Sequence, residues 1–116
     1  MSRGDDYIRI QHIIDAIDEA TTFIQGRTKE CLYLDRQLSL ALIKLLEIIG
    51  EAANKVSPEF KSANSHIPWR QMIDMRNRLT HGYFDTDLGI VWKTVNSELP
   101  QLLNSLQSLI ANNRSF

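Results

Sequence analysis

"DRQLSLALIKLLEIIGEAANKV", Asp35 to Val56, repeats apolar residues at three- and four-residue steps over about six helical turns. Its main stripe is Leu38, Leu42, Leu45, Ile49, Ala52 and Val56, while Leu40, Ile43 and Leu46 widen the apolar arc well beyond one face. A helix that apolar either runs through the centre of a bundle or is buried against a second chain. The fold therefore reads as all-α, with this helix at its heart.

The flanking sequence agrees. A first helix is predicted from about Asp5 to Gln25, with Tyr7, Ile10, Ile13, Ile14, Ile17, Ala20 and Ile24 on one stripe and Gly26 just past its end. Asp5 and Asp6 suit the positive end of its dipole. Ser57 and Pro58 form a cap and first turn, so a short helix is expected there. A third long helix opens at Pro68 and fades near Gly82. A fourth begins at Asp85 to Asp87 and carries Leu88, Val91, Trp92, Val95, Leu99, Leu102, Leu106 and Leu109, with Pro100 predicting a kink or break. Short connections favour antiparallel neighbours, hence an up-and-down bundle of four main helices plus a short one. No stretch shows strand alternation.

At 116 residues the chain suits a single domain over 1–116. A net charge of -1 argues against general electrostatic coating of nucleic acid but permits a local phosphate site. Cys31 is the only cysteine, so no intrachain disulfide can form. "MSRGDDYIRI" has no signal-peptide core, and a cytoplasmic protein is expected. The three histidines lack metal-ligand spacing, and neither a metal nor a cofactor is expected. His12 and His66 read as polar surface or packing residues, Asp85 and Asp87 as helix caps, and Glu51 with Lys55 as an exposed ion pair.

The chemistry concentrates in "RNRLTHGYF", Arg76 to Phe84. At about 100° per residue, Trp69, Met72 and Ile73 define the apolar face, and Arg76, Thr80 and Tyr83 continue it. Arg78 points to the opposite side, while Asn77 and His81 form a row on the edge. A guanidinium on an apolar stripe must meet a carboxylate, carbonyls, water or a bound anion. A turn at Gly82 would bring His81 back beside Arg76. The competing reading is an arginine and a histidine satisfied by structural neighbours.

Arg76-Asn77, then His81 and Tyr83, resemble the Arg-x4-His-x-Tyr signature of HepT toxins in the HEPN superfamily of helical ribonucleases. "IIGEAANKVSPEF", "IPWRQMIDMRNRLTHGYFDTDLGIVW" and "ELPQLL" extend the resemblance from about Tyr7 to Leu109. It implies a HEPN-like bundle and metal-independent RNA cleavage by a homodimer, with Arg76 and His81 catalytic and Asn77 supporting. It also implies a toxin–antitoxin pair in which a minimal nucleotidyltransferase antitoxin transfers AMP to Tyr83. The chemistry is consistent: histidine titrates near neutrality and serves as acid or base, and arginine grips phosphate in two places. One motif histidine per chain is too few for an acid and a base, whereas a symmetric dimer supplies two. Two rivals stand beside this reading. One is a non-catalytic helical nucleotide-binding or partner-docking subunit of a nucleotidyltransferase, and the other is a purely structural helical dimer.

Overall fold

The computed structural model describes the backbone over residues 3–81 and 87–113, and the side chains of residues 4–79 and 87–112. Its elements are α1 (Arg3–Phe23), α2 (Cys31–Leu34), α3 (Arg36–Lys55), α4 (Pro58–Ala63), α5 (Trp69–His81), α6 (Leu88–Lys93), a π-helical segment (Thr94–Glu98) and α7 (Leu99–Asn113). Among the described residues there is no strand. The bundle is all-α, as expected.

α3 lies between α1 and α5 and packs extensively on both. All six residues of its main stripe are buried, and so are Ile43 and Leu46. Its wide apolar arc is thus consumed within the chain, because two helices cover it from two sides. Of the widening residues only Leu40 stays half-exposed. The arc settles the position of α3 and gives no argument for a second chain.

Side-chain contacts fix the directions. Asp35 caps α3, its carboxylate accepting from Leu38 N at 3.1 Å, and also meets Arg27 just beyond α1 at 3.2 Å. At the other end Asp6, in the first turn of α1, is 3% exposed and accepts from Ser57 N at 2.8 Å and Ser57 Oγ at 2.7 Å. The start of α1 therefore meets the end of α3, and the two run antiparallel. The dipole reading of Asp6 misses this latch, which satisfies a buried carboxylate through a residue 51 positions away. Ser57 also caps α4 as expected, accepting from Phe60 N at 3.3 Å.

Two local features differ from the sequence reading. α2 is an additional short helix, a single turn whose Leu32 is buried and whose Leu32 carbonyl accepts from the Ser39 hydroxyl. Four residues carry too little periodicity to announce it. Pro100 does not end the last helix, and the irregularity expected there takes the form of a π segment. The proline lacks an N–H and crowds the carbonyl four residues back, at Asn96, and the chain widens into the π segment there before α7 resumes.

Candidate active site

An aromatic chain anchors the beginning of α5. Tyr7 of α1 meets Phe60 of α4 edge-on at 5.7 Å, and Phe60 meets Trp69 at 6.4 Å. Trp69 Nε1 donates to the Asn64 carbonyl at 3.0 Å, so the indole is buried with its polar atom satisfied. From there α5 runs back along α3. Met72 and Leu79 are buried, which makes Leu79 the residue that carries the apolar face forward.

Arg76 stands between them at i+4 from Met72, half-buried, as its place on the stripe predicts. The backbone of α3 makes room for it. A Cβ at Gly50 would lie 2.2 Å from Arg76 Cβ and 2.6 Å from the Met72 carbonyl oxygen. Glycine there lets the two helices close until the arginine stem rests on the α3 backbone. The "IIGEAA" stretch contains that glycine, yet nothing in a single sequence distinguishes a contact glycine from a tolerated one.

The guanidinium reaches the surface, where Nη1 donates to Asn77 Oδ1 at 3.2 Å. Among the described residues Arg76 makes no ion pair. Asn77, exposed, orients this end of the side chain. Position 81 is still helical and closes α5. The chain therefore does not turn early enough to fold position 81 back over Arg76. Five residues of continuous helix set the two positions about 140° apart. The His81 side chain, and Gly82, Tyr83 and Asp85 altogether, lie outside the described residues.

The other wall of α5 bounds a groove of about 460 Å³. Leu46 and Ile49 of α3, Met72 and Met75 of α5, and Leu99 and Leu102 of α7 make it largely apolar. Arg78 and Lys93 border it, together with Asp74 and Glu98. Arg78 is exposed and faces away from Arg76, as its wheel position predicts, but it stands on a groove wall instead of an open face. Asp74 is paired with Arg70 at 3.6 Å, whereas Arg78 and Lys93 have no ion pair among the described residues. The sequence reading missed this groove because its walls come from five elements, α3, α5, α6, the π segment and α7.

Elsewhere, Arg27 and the Leu38 amide hold the Asp35 carboxyl below the usual aspartate range, the amide contributing most. Hydrogen bonds from Thr28 lower the Cys31 thiol. His12 and His66 are exposed, Glu51 pairs with Lys55 at 3.4 Å, and Asp87 caps α6 through Gly89 N at 2.8 Å, all as read from the sequence. Among the described residues no three His, Cys, Asp or Glu side chains cluster at metal-binding geometry, and no helix is long and apolar enough to cross a membrane.

The family described as HepT-like, "Ribonuclease HepT-like", matches residues 13–109. The chain belongs to this family. A Thermococcus cleftensis protein named "Probable ribonuclease HepT" is 37% identical over 100 residues, covering 83% of this chain and 91% of that one. A Caldanaerobacter subterraneus protein, named as a "Putative RNase", is 31% identical over 101 residues, 87% of this chain and 90% of its own. A longer Methanocaldococcus jannaschii protein, named as a gamma-glutamylcyclotransferase and "putative RNase", is 32% identical over 108 residues, 93% of this chain and 49% of that one. No solved structure matches the chain significantly. The HepT-like match takes in Gly50, Arg76, Asn77, His81 and Tyr83, and begins midway along α1.

Proposed function

We propose that this protein is a metal-independent endoribonuclease, the toxin half of a toxin–antitoxin pair, acting in the cytoplasm as a homodimer of one-domain chains. The observation that carries the reading is the state of Arg76. It sits in a packed helix face, with its stem against Gly50, and among the described residues its guanidinium is tied only to the neighbouring Asn77. A structural arginine of this burial would be expected to hold a carboxylate. This one meets none among the described residues, which leaves its donor fork open to an anion, and two phosphate oxygens match that fork.

In the reaction, the ribose 2′-hydroxyl attacks the adjacent phosphate. His81 takes its proton as general base, a second histidine returns one to the leaving 5′-oxygen, and Arg76 stabilises the charge that builds on the phosphate. The angular separation of positions 76 and 81 on one helix favours a composite site, in which a twofold axis brings two copies of α5 together. Asn77 steadies Arg76. A minimal nucleotidyltransferase antitoxin silences the site by transferring AMP to Tyr83, two residues from His81, which adds negative charge where the substrate phosphate must bind.

A cleavage assay on purified protein in EDTA tests the reading. The wild type should cut RNA, and Arg76→Ala and His81→Ala should not, while both keep their helicity. A strict need for divalent metal, or full activity without His81, would refute it. Helical protein that binds nucleotide but never cleaves would favour the non-catalytic docking subunit instead.

A further inference from the structure

The groove beside α5 has no part in the chemistry just described, and its composition is unusual for a solvent-filled cleft. Its volume falls within the ~300–1,000 Å³ of small-molecule sites. Its floor is apolar, yet two cations on its rim, Arg78 and Lys93, have no ion pair among the described residues. Asp74, which would otherwise neutralise Arg78 one turn away, is drawn to Arg70. In a chain of net charge -1 such a pairing of greasy floor and unspent positive charge is a local feature, not a general one. An apolar protein segment would leave the cations without partners. A nucleotide satisfies both halves, with a flat base over the methionines and leucines and a phosphate at the rim.

We propose that this groove is a nucleotide subsite, which holds the base of a single-stranded RNA residue flanking the cleaved phosphate while Arg78 and Lys93 grip the adjoining backbone. The proposal rests on the ribonuclease reading and adds to it where the strand lies. Arg78 stands three positions before His81 on the same helix, so a strand leaving the groove along α5 runs toward the motif end. Glu98, on the groove wall with Lys93, supplies an acceptor for base amino groups.

The test is binding of a short end-labelled single-stranded RNA of mixed sequence to the full chain carrying His81→Ala, titrated at several salt concentrations. Lys93→Ala and Arg78→Ala should each weaken binding and reduce the slope of log affinity against log salt by about 0.7, the value of one phosphate contact to a single strand. Met75→Trp, which fills the groove and removes neither cation, should weaken binding at least roughly fivefold and leave the slope unchanged. Its circular dichroism should match the parent. Parent-like affinity and slope in all three variants, or a parent that does not bind this RNA, overturns the subsite. Conversion of a dimer to a monomer by Met75→Trp overturns it too, since the groove would then be an interface between copies. Failure of the ribonuclease reading looks different: wild-type protein that does not cleave, with the binding losses still present.

Discussion

Replacing Gly50 with alanine adds one carbon at the point where α3 and α5 touch. Taken alone, the change favours the helix by about 1 kcal/mol, because glycine is the poorer helix former. The contact opposes it. The new Cβ would start 2.2 Å from Arg76 Cβ and 2.6 Å from the Met72 carbonyl oxygen. Neither atom is the end of a flexible side chain, so no rotamer change relieves the overlap. Restoring an ordinary carbon–carbon separation of about 3.5 Å requires α5 to retreat by roughly 1.3 Å. Overpacking of this kind costs about 1–3 kcal/mol, which leaves a net loss of up to about 2 kcal/mol after the helical gain.

The catalytic effect should exceed the stability effect. Arg76 is the residue displaced, and a misplacement of about 1 Å costs on the order of a hundredfold in rate. Thermal unfolding and single-turnover cleavage of Gly50→Ala, measured side by side, check the reasoning. The expected result is a modestly lower Tm, a cleavage rate down by about two orders of magnitude, and RNA affinity changed far less. A variant with higher Tm and wild-type cleavage would mean that propensity outweighs contact and that Gly50 does not place Arg76.

Four further outcomes are expected. Asp6→Ala should lose about 2–3 kcal/mol, read as a lower denaturation midpoint, because it strips Ser57 of two charge-assisted hydrogen bonds in a buried setting. Ile43→Asp should unfold the protein, since Ile43 is buried inside one chain, whereas Leu40→Asp should leave a folded protein whose sedimentation reports directly on the dimer. The folded state lowers the Asp35 pKa, so the stability this carboxylate adds is present above its unfolded pKa and disappears as pH falls through the lower folded value. Thermal melts of wild type and Asp35→Asn should therefore differ near neutral pH and converge in acid. Tyr83→Phe should fold, dimerise and cleave yet escape silencing, and mass spectrometry after incubation with antitoxin and ATP should find AMP on the wild type alone; an adduct on another residue would refute Tyr83 as the acceptor.

Much of the fold was legible because α1, α3 and α7 carry long apolar repeats that survive in one dimension. Ser57 and Asp87 announced helix starts through their side chains, and both cap as read. Arg76 was legible as an anomaly, since a cation on an apolar stripe violates the local pattern. Its environment was not. Gly50 is 26 residues from Arg76 in sequence, and the absence of a side chain leaves no periodic signal. The width of the α3 arc was legible, but whether its second cover is α5 or another chain depends on packing that no single helix encodes. Asp6 looked like a dipole residue because its partner lies beyond α3. Helical geometry persists through His81, and the turn expected at Gly82 lies outside the described residues.

The π segment has a consequence for the groove it borders. Lys93 and Glu98 both face that groove although they are five residues apart. In an α-helix such a spacing would swing them about 140° from each other. Bonding from i to i+5 instead brings them round to one side. The opposed charges thus share this wall by virtue of one surplus residue beside Pro100, which cannot take part in a regular turn. Removing a single residue between Thr94 and Glu98 would let the α register heal and carry one charge out of the groove. If the groove is the nucleotide subsite proposed above, relatives with and without that residue should differ in which bases they accept even where the groove side chains are the same.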